Sequence, residues 1–221
     1  TFSCLNPNTE KNQDCCIASS SMIFWESDSV KAEEFLKNIL TENKITYKDL
    51  TSQNWNSESS TIGGIRDYKL SKISTNKTSW NSLMLHLNST LNNKIALELS
   101  KKTKSIVIMF LEFDQDAWGY CLFQNGELID NFWNNPMTVD LALDKCSANV
   151  DLIAKEFKVN KDKIKPYLNH ISESSDKGKA FPDDEFELDN HWVRTDFMDK
   201  LGLEYPESGK WIYIVEDNVN E

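Results

Sequence analysis

Residues 105–133, SIVIMFLEFDQDAWGYCLFQNGELIDNFW, decide the fold. The run 105–113 is almost continuously apolar and strand-sized, the pattern of a strand buried on both faces. Residues 118–123 form a second apolar stretch, and 127–133 a third. Between the last two stands Asn125-Gly126, a pair that tolerates positive φ at both central positions of a type I′ hairpin turn. The reading is an antiparallel meander of three strands.

Working outward towards the N-terminus, 105 is reached from a helical pattern through Lys101-Lys-Thr-Lys104. That helix is expected to start at a Thr78 or Ser79 cap and to bury Leu83, Leu87, Leu91 and Ile95, with Met84 and Leu85 widening the stripe. Gly63-Gly64 turns into a short strand at 65–70, and the polar segment 52–60 reads as a surface loop around Trp55. Further upstream, 16–25 reads as a strand, and Ser27-Asp28-Ser29 caps a helix with Val30, Phe35, Leu36, Ile39 and Leu40 on one face. This is an N-terminal β-α unit, closed by Asn43-Lys44 and followed by a short extended piece at 45–47. The first 14 residues are polar and lack periodicity, as expected of a flexible terminus.

Towards the C-terminus, Pro136 marks a change to helix, expected at 139–146, 150–157 and 161–171. Asp189-Asn190 caps a last helix that buries Trp192, Phe197, Met198 and Leu201. Gly202 ends it, and 211–215 makes a final strand. The fold class is therefore α+β: an antiparallel meander sheet with packed helices, preceded by the β-α unit. Residues 15–103 and 104–221 are expected as tightly apposed halves or one domain, because no Pro-, Gly- or Ser-rich linker separates them.

With 221 residues, 39% hydrophobic, and seven Trp and eleven Phe, the chain can enclose a real core. A net charge of −11 disfavours contact with phosphate backbones and anionic lipid, which depends on Lys and Arg releasing counterions. No run approaches the ~20 apolar residues of a membrane-spanning helix. The cysteines, Cys4, Cys15, Cys16, Cys121 and Cys146, show neither a CxxC pair nor zinc-ligand spacing. Their odd number fits a reducing cytoplasm better than a disulfide framework. Secretion stays open, because a leader could precede Thr1.

Three constellations bear on chemistry. Asp114 and Asp116 follow the first meander strand and Asp130 lies on the third, where two or three hard oxygens could hold a divalent metal for hydrolysis. A surface turn also favours Asp at such positions. The segment 183–189 is strongly acidic without the alternation and central Gly of a calcium loop, so it reads as a solvated loop. Residues 151–168 have the rhythm of a helix-turn-helix and carry Lys155, Lys158, Lys161, Lys163 and Lys165. Pro166, the lack of Arg and the acidic chain argue against DNA readout. None of His86, His170 and His191 lies in a nucleophile elbow or a metalloprotease motif.

The run 116–136, the segment 157–168 and Lys179-Ala-Phe-Pro-Asp-Asp-Glu-Phe186, with Asp196-Phe-Met198 and Leu201-Gly202, resemble a group of uncharacterised bacterial proteins over about half the chain. The resemblance implies a bacterial origin; it brings no activity, cofactor or site.

Of the readings left, the leading one is a non-catalytic binding or regulatory protein acting through a protein partner, with Trp118, Phe132 and Trp133 as interface anchors if exposed and as core if not. A metal-assisted hydrolase at Asp114, Asp116 and Asp130 is the enzyme alternative, and a DNA-binding regulator the third. No cofactor is called for by any motif.

Overall fold

The computed structural model describes residues 20–25, 32–42, 44, 46–50, 65–74, 79–85, 89–139, 145–171, 178–205 and 210–215. Strands β1 (Ser20–Trp25), β2 (Thr46–Leu50), β3 (Ile65–Ser74), β4 (Ser79–Leu85), β5 (Val107–Phe113), β6 (Ala117–Gln124), β7 (Glu127–Trp133) and β8 (Lys210–Val215) form one sheet in the order β2-β8-β3-β4-β1-β5-β6-β7. Every neighbouring pair is antiparallel. The fold is α+β, and the meander of the sequence reading is β5-β6-β7.

Both faces of the central strands are covered, which is why β5 reads as an unbroken apolar run. Alternate residues point to opposite sides. Ile23, Trp25, Val107, Met109, Leu111, Cys121 and Phe123 pack towards helices α1 (Ala32–Glu42) and α2 (Ser89–Thr103). Those helices present Phe35, Ile39 and Leu40, and Leu91, Ile95, Ala96 and Leu99. Met22, Phe24, Ile108, Phe110, Trp118, Tyr120 and Leu122 face the opposite way. There they meet α3 (Val150–Phe157), two 3-10 turns (Lys161–Lys163 and Lys165–Leu168) and α4 (Val193–Lys200). The result is three layers, helices on either side of an antiparallel sheet.

Two features set the meander's geometry. Asn125 and Gly126 have φ of 54° and 83°, as a type I′ turn requires, and the Gly126 N–H donates to Ser100 Oγ at 3.0 Å, seating the turn on α2. In β7 the register shifts: Leu122 faces Asp130 while Phe123 faces Leu128, so Ile129 is an extra residue. This bulge places Asp130 on the Tyr120 side of the sheet.

The sequence misassigned several elements. Residues 79–85 are a strand, not the first half of a helix; the helix starts only at Ser89. The i, i+4 spacing of Leu83, Leu87 and Leu91 suits a helix, but β4 is claimed by hydrogen-bonding edges on both sides, β3 and β1, and tertiary pairing overrides propensity. Val139 ends a turn in which the Thr138 and Val139 N–H groups donate to Asn135 O and Pro136 O; residues 140–144 of the expected helix lie outside the described residues. The segment 161–171 gives two 3-10 turns, since Pro166 cannot donate within a continuous helix. Without a second α-helix it has no recognition element of the helix-turn-helix kind. Trp192, expected in the core, sits just before α4 and is 37% exposed. The expected terminus 1–14, the loop 52–60 and the Cys15-Cys16 pair lie outside the described residues.

Candidate functional site

Trp118, Phe132 and Trp133 are all buried, at no more than 1% exposure. Trp118 and Phe132 stack edge-on at 5.4 Å and join Phe197, while Trp133 packs on the α1–α2 side. A sheet covered on both faces leaves them no outlet, so they build the core and do not present an interface.

The three aspartates do not converge. Asp114 and Asp116 are exposed in the tight turn closed by Asp116 N–H to Phe113 O at 3.0 Å, with Asp114 at φ 50°. Asp130 pairs with Leu122, five residues along β6 from the Ala117 end, roughly 17 Å away at strand rise. Among the described residues no group of three or more His, Cys, Asp or Glu side chains could hold a metal ion. Asp130 instead takes the Tyr120 hydroxyl at 2.7 Å and the Asn149 N–H at 3.2 Å on each oxygen. Burial raises its carboxyl above the ordinary range, and these hydrogen bonds oppose the rise. Burial, reinforced by Asp130, also holds the Tyr120 phenol well above its usual value.

The acidic segment 183–189 divides into two kinds of residue. Asp183, Glu185, Glu187 and Asp189 are exposed, but Asp184 is buried. Its carboxylate accepts from Tyr167 Oη at 2.7 Å and from the Phe181 N–H at 2.9 Å, with Lys200 Nζ at 3.0 Å. Asp196 binds the same loop from α4, accepting from the Glu185 and Phe186 N–H groups at 3.1 and 2.9 Å. The loop is thus pinned to the C-terminal layer by side chains that periodicity alone does not flag.

That pinning builds the surface feature with the most functional content. Among the described residues, Met137 and Trp192 are the large hydrophobic side chains that stand exposed. Met137 projects from the turn after β7. Trp192 lies among four partners: Phe186 at 6.4 Å, Tyr205 at 6.0 Å, His191 at 5.4 Å, and the Arg194 guanidinium at 5.0 Å from its ring. Asn190 fixes the approach, its side chain accepting the Trp192 N–H at 2.9 Å and its carbonyl the Val193 N–H at 3.0 Å. Beneath the ring, Arg194 is 2% exposed and its Nη1 lies 2.5 Å from Glu112 Oε2, with His191 Nε2 3.6 Å from Oε1. The Arg194 and Glu112 side chains form an ion pair. Burial raises the Tyr205 phenol beside this pair, with Arg194 pulling the other way.

A second arrangement lies at the edge strand β7. Cys146 O accepts the Trp133 N–H at 3.3 Å, and Asn134 O accepts the Ile171 N–H at 2.7 Å. Two distant segments are thereby brought to one place. His170 stacks on Phe132 at 5.7 Å, with Nδ1 2.9 Å from Trp133 O and Nε2 3.2 Å from Ser147 Oγ.

No helix among the described residues is long and apolar enough to cross a membrane. Compared with known proteins, the chain matches no family profile, and no curated protein or solved structure is detectably similar to it.

Proposed function

We propose that the chain is a binding protein whose partner is another protein, engaged through the patch centred on Trp192. The observation that carries this reading is an exposed Trp packed among Phe186, His191, Arg194 and Tyr205. Interface hot spots are enriched in Trp, Tyr and Arg and favour side chains fixed before contact, since little entropy is then lost on docking. The exposed carboxylates Glu185, Glu187 and Asp189 precede the patch, and the chain as a whole carries −11. A partner with an apolar socket rimmed by Lys or Arg is the complement, and association should be steered by charge.

The test pairs wild type with Trp192→Ala in affinity capture from cells that make the chain, then titrates the purified captured protein by calorimetry. Loss of a Trp hot spot costs about 2 kcal/mol or more, which is roughly a 30-fold weaker Kd. Wild-type affinity should also fall as salt is raised. An equal affinity for Trp192→Ala would overturn the assignment of the patch.

A further inference from the structure

We propose that Ser147 and His170 form a nucleophile–base pair able to transfer short acyl groups from carboxylic esters to water. The argument begins with the tautomer. Trp133 O, 2.9 Å from Nδ1, can only accept, so Nδ1 carries a proton and the neutral ring leaves Nε2 as an acceptor. The group at Nε2 is the Ser147 hydroxyl at 3.2 Å, which donates to it. A serine facing a base whose second nitrogen is held by a third group is the arrangement that activates a hydroxyl. The ring cannot turn freely, because it lies against Phe132 at 5.7 Å and an interplanar angle of 19°.

The surroundings supply a site for negative charge. Ser147 lies just before α3, whose cap Asn149 takes the Leu152 N–H on its side chain and the Ile153 N–H on its carbonyl. This end of α3 is the positive end of the helix dipole, which favours negative charge close by. Asn149 is itself fixed by its N–H to Asp130, which the bulge in β7 positions. Ser147 is exposed, so a short acyl group suits the site better than a long chain that would need a buried channel.

The steps balance without any further reactant. Ser147 Oγ attacks the ester carbonyl carbon while its proton passes to His170 Nε2. The C–O bond to the alcohol breaks, and the alcohol leaves with that proton. Water then attacks the acyl-serine, gives a proton to Nε2, and releases the acid as the proton returns to Oγ. Ester and water become acid and alcohol, and the side chains are regenerated.

The pair stands apart from the Trp192 patch, so either proposal can fail alone. The purified chain is treated with a fluorophosphonate probe, and the labelled peptide is identified by mass spectrometry. One label on Ser147 is expected, absent in Ser147→Ala and formed about 100-fold more slowly in His170→Gln. Wild type should also release 4-nitrophenol from 4-nitrophenyl acetate faster than Ser147→Ala. Because Ser147 is exposed, that variant should keep the wild-type melting midpoint and so carries the test even if His170→Gln unfolds. Absence of label on folded wild type, label at another residue, or label retained by Ser147→Ala would each overturn the proposal.

Discussion

Gly119 is the position in β6 where a single methyl group should do most damage. It pairs with Leu111 on one side and Trp133 on the other, and it faces the α1–α2 core. A Cβ there would lie 2.4 Å from Phe132 O and 2.7 Å from Trp133 Cδ2, where ordinary contact begins near 3.4 Å. The first obstacle is backbone in the neighbouring strand, so relief requires β7 to move away from β6 by most of an ångström. Such a shift strains the pairing that carries both Phe132 and Asp130. Overpacking of this kind costs about 3 kcal/mol, and the lower chain entropy of Ala returns ~0.5–1 kcal/mol. A net loss of about 2 kcal/mol corresponds to a melting midpoint lower by roughly 4–8 °C for a domain of this size. The assay is thermal and urea unfolding of Gly119→Ala followed by circular dichroism, with Trp133→Leu and the double variant as a cycle. Part of the penalty should vanish in the Trp133→Leu background, leaving the Phe132 O contact. A Gly119→Ala midpoint within 1 °C of wild type would refute the close approach of β7 to β6.

Two further predictions concern buried charge. Arg194→Met removes the cation paired with Glu112, and breaking a buried ion pair from one side typically costs about 3–5 kcal/mol; the Glu112→Gln, Arg194→Met double variant should recover more than half of that in urea unfolding. Asp130 has a folded-state pKa above its unfolded value, so its stabilising contribution is complete below about pH 4 and is lost as pH rises through the raised value. Wild type should therefore gain stability relative to Asp130→Asn between neutral pH and about pH 4, and a flat difference across that window would contradict the burial of this carboxylate.

What the sequence revealed depends on the range over which each signal acts. The hairpin at Asn125-Gly126 is legible because two adjacent residues carry the whole conformational requirement. The C-terminal strand and the short helix α3 are local in the same sense. β4 is not, because its strand state is imposed by β3 and β1, which reach it from elsewhere in the chain. Trp192 was misplaced because an Asp189-Asn190 cap would put it inside the helix that follows, whereas the Asn190 turn holds it one residue before α4 begins. The buried Asp184 stands in a run of exposed acids, and only its contacts with Tyr167 and Lys200 single it out. Ser147 and His170 carry no motif at all. They meet because main-chain bonds from Trp133 and Asn134 gather two separate segments at the end of β7.

The place of β1 in the sheet makes folding wait on synthesis. Its neighbours are β4 and β5, and the β1–β5 pairs, from Trp25 with Val107 to Ser20 with Glu112, close loops of roughly eighty to ninety residues. As the chain emerges from the ribosome, Ile23 and Phe24 appear before either partner strand, β4 or β5, has been made. The β6–β7 hairpin, by contrast, needs only its own turn. Until Phe113 has been added, β1 is a strand with at least one open edge, a template for pairing with other nascent chains. Slow, nonlocal closure at the centre of the sheet and fast, local closure at its rim are thus consequences of one pairing order.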